Sequence, residues 1–155
     1  YKCTALQSLV IKGGLAELPK DIGRLEALTK LILDGNKLES LPEELGSLPN
    51  LKIFLADNNK LASLPASFAQ LSKLQALSIA NNKISSLAPL SDCAALETLN
   101  ADNNDLTDEE CLPDFTRLPR LKTLSLAKND LDSLPASVGS LQVLETLNVA
   151  GNRLK

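Results

Sequence analysis

The sequence predicts an α/β solenoid: a curved stack in which each repeat contributes one short strand to a parallel concave sheet, with short 3-10 or α segments on the convex side. Three observations carry this prediction. Leucines open a recurring apolar pattern at Leu6, Leu28, Leu51, Leu74, Leu96, Leu121 and Leu144, in steps of 22, 23, 23, 22, 25 and 23 residues. An asparagine stands at the same place in all but the first unit, at Asn36, Asn59, Asn82, Asn104, Asn129 and Asn152. The composition is 44% hydrophobic yet only 3% aromatic, with no Trp and no Met. A nearly all-aliphatic core fits one small packing problem solved repeatedly, and periods of this size indicate a stack.

The first half of each unit reads L-x-x-L-x-L-x-x-N-x-L, as in Leu28, Leu31, Leu33, Asn36 and Leu38, or Leu121, Leu124, Leu126, Asn129 and Leu131. Alternation around the second leucine predicts a short strand. Motif positions four and six face the core, and three, five and seven face solvent on the concave side. The asparagine falls at a core-facing turn, where its amide can satisfy backbone groups that the turn leaves unpaired, giving a structural ladder along the stack. The first unit diverges: Leu6, Leu9 and Ile11 keep the pattern, but Gly14 replaces the asparagine and one residue is deleted before Leu15.

The second half is also regular. Leu-Pro recurs at 18–19, 41–42, 64–65 and 134–135, followed by Ile22, Leu45, Phe68 and Val138, then by Leu25, Leu48, Leu71 and Leu141. Proline has no N–H to give a ladder, so it opens the convex segment. An apolar spacing of three on so short a stretch suits a 3-10 turn or a short helix. One unit cannot bury its own leucines, so stability should be close to a sum of nearest-neighbour interfaces.

Motifs such as Leu41-Pro42-Glu43-Glu44-Leu45-Gly46-Ser47-Leu48 and Leu134-Pro135-Ala136-Ser137-Val138-Gly139-Ser140-Leu141 resemble intracellular leucine-rich repeats of the Shoc-2 and Ras-suppressor kind. The unit at 74–95, with Ser86-Leu87-Ala88-Pro89-Leu90, is similar to the SDS22-like subclass. The resemblance covers essentially the whole chain. It implies protein–protein recognition, often as a scaffold or regulator in phosphatase, small-GTPase or cytoskeletal signalling assemblies. The pattern is already running at Cys3-Thr4-Ala5-Leu6, which mirrors Cys93-Ala94-Ala95-Leu96, and it runs out just after Asn152. The expectation is therefore one repeat domain over 1–155, a fragment of a longer array.

Several chemistries are excluded or disfavoured. The chain has no His, which removes His-based triads, Cys–His dyads and His metal ligands. Its net charge of −3 lacks the basic excess that phosphate neutralisation requires, so no nucleic-acid partner is expected. No apolar run is long enough for membrane insertion. Cys3, Cys93 and Cys111 are scattered and sit in register with apolar repeat positions, reading as small core hydrophobes. Asp102-Asn103-Asn104-Asp105 suggests a calcium loop but lacks the required Gly and alternating ligands. No enzyme activity, cofactor, metal or small-molecule substrate is expected. The scattered thiols and the absence of an Asn-x-Ser/Thr sequon point to an intracellular, cytoplasmic location.

Function should then lie on the concave columns, where side chains are not needed for packing. Column five begins Val10, Ile32, Leu55, and column three places Ile53 beside them, with Lys30, Asp34 and Asp57 at the rim. A contiguous apolar patch with a charged rim marks a partner site, so Val10, Lys30, Ile32, Asp34, Ile53, Leu55 and Asp57 are the candidate protein-binding residues. The 25-residue unit supplies a secondary candidate in Asn100, Asp102, Asp108 and Glu109, since insertions into repeats often sit on a binding edge. The expected function is a non-catalytic interaction module or scaffold. The alternatives are an architectural spacer in a large assembly, such as a cytoskeletal one, or the repeat region of a larger signalling enzyme.

Overall fold

The computed structural model describes residues 3–155; Tyr1 and Lys2, which belong to the expected tail of an earlier repeat, lie outside the described residues. Seven three-residue strands form one sheet in chain order. They are β1 (Ser8–Val10), β2 (Lys30–Ile32), β3 (Ile53–Leu55), β4 (Ala76–Ser78), β5 (Thr98–Asn100), β6 (Thr123–Ser125) and β7 (Thr146–Asn148). Every neighbouring pair is parallel and in repeat register, so Val10 lies opposite Ile32, Ile32 opposite Leu55 and Leu55 opposite Ser78.

The convex side consists of 3-10 turns throughout the described residues: Lys20–Arg24, Glu43–Ser47, Ala66–Gln70, Ala88–Leu90, Glu109–Cys111, Phe115–Arg117 and Ala136–Ser140. The α-helical option is not used. An apolar residue every third position eclipses along a 3-10 turn and so presents one ridge to the core. Prolines 19, 42, 65 and 135 stand in extended backbone immediately before their turns, as their fixed φ favours.

The 25-residue unit spends its extra residues on a second turn. Asp108 accepts hydrogen bonds from the N–H groups of Glu110 and Cys111 at 3.0 and 3.1 Å and caps Glu109–Cys111. The insertion is thus a folded, capped turn. Asp114 caps the following one, and the Thr116 hydroxyl and N–H hold its carboxyl below the ordinary carboxylate range.

The core is a single apolar column running through the stack. Positions four and six of the inner units, from Leu31 and Leu33 to Leu124 and Leu126, are fully buried, with Ala56 and Ala101 at position six where Phe54 and Leu99 fill position four. Phe54 meets Phe68 edge-on at 5.6 Å, bridging sheet and convex turn. Burial fades at the last strand, where Leu147 is 41% exposed. A stack that hides each unit only against its neighbours must show this gradient.

Candidate functional site

The asparagine column is the backbone of the site. Asn82 accepts from the Leu61 N–H at 3.0 Å and donates to the carbonyls of Ala56 and Ile79 at 3.0 Å each. Leu61 and Ala56 belong to the preceding repeat and Ile79 to its own. Asn59, Asn104, Asn129 and Asn152 repeat this bridge. Asn36 makes it to the divergent first unit, accepting from Gly14 and Leu15 and donating to Ile11. The amide is one of the few groups with both donors and an acceptor in the geometry this turn requires.

The apolar patch assembles as a continuous row. Val10, at 53% exposure, leads into half-buried Ile32 and Leu55, and Ile53 lies on the same strand as Leu55, two residues away on the same face. Lys30 pairs laterally with Ile53 and is half-buried.

The rim aspartates carry structural duties that the sequence reading did not foresee. Asp57 Oδ1 accepts from the Ser78 hydroxyl at 2.6 Å and the Ala80 N–H at 2.7 Å; Asp102 Oδ1 does the same with Ser125 at 2.6 Å and Ala127 at 2.8 Å. Asp34 Oδ1 accepts from the Asp57 N–H at 2.9 Å. The signal for this was present: an Asp at position seven followed by a Ser at position five of the next unit. Among the secondary candidates, Asn100 accepts from the Asp102 N–H at 3.0 Å, Asp108 is the turn cap, and Glu109 is exposed beside it. The structure therefore does not gather these four into one cluster of free side chains.

A further column emerges at motif position eight. Gly35, Asn58, Asn81, Asn103, Lys128 and Gly151 all have positive φ, between 54° and 72°. Gly and Asn enter this left-handed region at low cost, which explains the Asn-Asn doublets at 58–59, 81–82 and 103–104. Lys128 is the exception, and no sequence rule had singled it out.

Farther along the face a depression of about 520 Å³ opens over small residues, with Ala80, Ala127 and Ala150 lining it together with Asp57, Asp102, Asn100, Asn148 and Lys128. Its walls are amides and charges, in contrast to the apolar row at the amino-terminal end. No three Cys, Asp or Glu side chains among the described residues are grouped so that they could hold a metal ion. No helix among them is long and apolar enough to cross a membrane.

Two of the three cysteines take the core positions that the repeat register predicts, and Cys3 does not. Cys93 and Cys111 are buried, whereas Cys3 is exposed. The Cys93 thiol donates to the Phe68 carbonyl, and burial pushes its pKa up to about 12. A thiol reagent at neutral pH should therefore modify Cys3 within minutes and reach Cys93 only after denaturant is added. Rapid native labelling of Cys93, read by peptide mass spectrometry, would contradict its place in the core.

Strand order, asparagine ladder and convex turns together define a leucine-rich-repeat solenoid, and the chain is a leucine-rich-repeat protein. The leucine-rich-repeat family model matches residues 49–106, and a two-copy model of the same repeats matches 26–70. The PH domain leucine-rich repeat protein phosphatase 1 of Rattus norvegicus is 48% identical over 61 residues, which is 39% of this chain and 4% of that protein. Toll-like receptor 1 of Homo sapiens is 43% identical over 68 residues, 41% of this chain and 8% of the receptor. The chain thus spans only a small part of the curated relatives it matches. Among solved structures, the plant peptide hormone receptor RGFR1 in complex with RGF2 superposes with a TM-score of 0.84 at 28% identity, over 95% of this chain and 25% of the receptor. A Leptospira interrogans LRR protein superposes with a TM-score of 0.68 at 32% identity, over 97% of this chain and 50% of that one.

Proposed function

We propose that this chain is a non-catalytic interaction module that holds a protein partner on its concave sheet, centred on Val10, Ile32, Ile53 and Leu55. The observation that supports it is the lateral register, which joins four aliphatic side chains into one patch on a face where alternation should put polar groups. Lys30, Asp34 and Asp57 form its charged rim. The two aspartates each use one oxygen internally and keep the other for a partner. The plant receptor superposed above is a peptide hormone receptor in complex with RGF2, which agrees with a binding role for a fold of this kind. An intracellular setting is supported by unpaired, separated thiols and is part of the same proposal.

Two surface variants test the reading. Val10→Asp lies on the most exposed member of the patch and Leu55→Asp at its centre. Each should reduce capture of a cell-lysate partner at least about tenfold. Val10→Asp should leave the melting temperature within about a degree, since surface changes stay near ±0.5 kcal/mol. Leu55 is half-buried, so Leu55→Asp should also lose about 1 kcal/mol of stability. Undiminished capture by both variants, with crosslinks from Lys20, Lys73 and Lys122 but none from Lys30, would instead make the chain an architectural spacer.

A further inference from the structure

The rim that follows the asparagine ladder carries an ordered column of charge. Its members are Lys37, Lys60, Lys83, Asp105, Asp130 and Arg153, each one residue past a ladder asparagine. Backbone fixes their places. Each N–H donates to a carbonyl of the preceding repeat, on Leu15, Leu38, Leu61, Ile84, Leu106 and Leu131, at 2.8 or 2.9 Å. All six residues are exposed. The column therefore presents one charge per repeat along a single edge.

Most of these charges have no partner within the chain. Among the described residues Lys37, Lys60, Lys83 and Asp105 form no ion pair, while Asp130 is held by Arg153 at 3.0 Å. Neighbours on the same edge widen the contrast between its halves. Asp108, Glu109, Glu110 and Asp132 add negative charge beyond Lys83, and Glu39 is the acid set among the lysines. A depression of about 490 Å³, lined by Glu39, Lys60, Ala62 and Lys83, opens beside the lysines. It gives a carboxylate room to reach two ammonium groups.

An edge that is basic in one half and acidic in the other is complementary to itself turned end for end. We propose that this rim is an interaction surface for a second copy of the chain, which docks rim to rim in the opposite direction about a two-fold axis between Lys83 and Asp105. Lys83 of each copy then meets Asp105 of the other, and Lys60 meets Asp130 and Asp132. Lys37 and Glu39 together meet Arg153, so the last cation of the column also faces an acid. The column advances one strand per repeat in both copies, about 4.8 Å, so the register holds along the edge. Copies running in the same direction would set like charge against like. With the axis along the radius of the stack, both concave sheets stay on the same side and remain open. The contact is independent of the concave patch. Exposed ion pairs are weak one by one, and a net charge of −3 per chain opposes association, so the dissociation constant should be on the order of 0.1 mM at low salt.

Sedimentation velocity over a concentration series tests this on the chain alone. In about 20 mM salt the wild-type protein should pass from monomer to dimer near about 0.1 mM, and about 0.5 M salt should weaken the association about tenfold or more. Lys60→Glu/Lys83→Glu and Asp105→Lys/Asp130→Lys should each associate at least about tenfold more weakly than wild type, because every reversal sets like charges together. Mixed in equal amounts, the two variants should pair to within about threefold of wild type. The altered groups of one then face those of the other, and the unaltered groups keep their native partners. All four substitutions in one chain should restore self-association in the same way. Val10→Asp and Leu55→Asp should associate as the wild type does. A wild-type chain that stays monomeric at about 0.5 mM in low salt would overturn the proposal. So would a dimer that high salt does not loosen, one that survives either double reversal, or a mixture that stays monomeric. Loss of the dimer on Val10→Asp or Leu55→Asp would place the contact on the concave patch instead.

Discussion

Asn82→Ala is expected to lower the free energy of unfolding by about 3 kcal/mol, because the amide satisfies groups from two repeats at once. Its oxygen takes the Leu61 N–H, and its nitrogen serves the carbonyls of Ala56, Ile79 and Ala80. Asn82 is buried. Alanine leaves those groups without a partner and too enclosed for water to replace the amide fully. Asn82→Asp should be worse than alanine despite its identical shape, since a carboxylate keeps the acceptor for Leu61 but turns the donated bonds into contacts between oxygens. Asn152→Ala should cost less, about 1 kcal/mol. Its bonds to Leu126, Val149 and Leu131 are comparable, but the residue is only half-buried and water can step in. Urea unfolding of the three variants checks the order. Equal losses for Asn82→Ala and Asn152→Ala would mean that the ladder's strength does not depend on burial.

Much of the architecture was legible because each repeat poses the same local question. The strands, their register and the asparagine ladder follow from a period that chance does not produce, and Val10, Ile32 and Leu55 were adjacent on paper because their motif positions match. Side chains whose roles depend on a neighbouring repeat were harder to read. Asp57 and Asp102 look like free rim charges until Ser78 and Ser125 are seen to take their oxygens. Asp108 looked like a contact residue in an inserted loop, but a capped turn is what two extra residues form when an Asp precedes the new N–H groups. The choice between 3-10 and α geometry was also open, since five residues between proline and leucine allow either. Lys128 was missed for a plainer reason: the Asn-Asn and Gly-Asn doublets encode positive φ, and a Lys-Asn pair hides it.

Gly46→Ala is expected to destabilise the protein by about 2–3 kcal/mol, the upper range of overpacking, although alanine is ordinarily the better residue in a turn of this kind. The cause lies in how closely the convex turns stack. A Cβ on Gly46 would fall far inside contact distance of the Ser67 carbonyl oxygen, Cβ and Oγ, and the first of these is backbone held within the Ala66–Gln70 turn. Ser67 cannot easily retreat, because its N–H is tied to Glu43 Oε2 at 3.0 Å. The equivalent glycines make a graded control. At Gly23 the added Cβ would meet the Glu44 carbonyl at 2.8 Å, so Gly23→Ala should cost about 1 kcal/mol. At Gly139 nothing lies within 4 Å, and Gly139→Ala should gain about 0.5 kcal/mol by narrowing the unfolded ensemble. Ala69, the natural residue at the same place in the third repeat, precedes a unit that exchanges its Leu-Pro turn for the shorter Ala88–Leu90 one. Ser67→Gly in the Gly46→Ala background should restore only part of the loss, since it removes Cβ and Oγ but leaves the carbonyl oxygen where it was. Full restoration would place the clash in the serine side chain alone, and the convex stacking would then be softer than its geometry indicates.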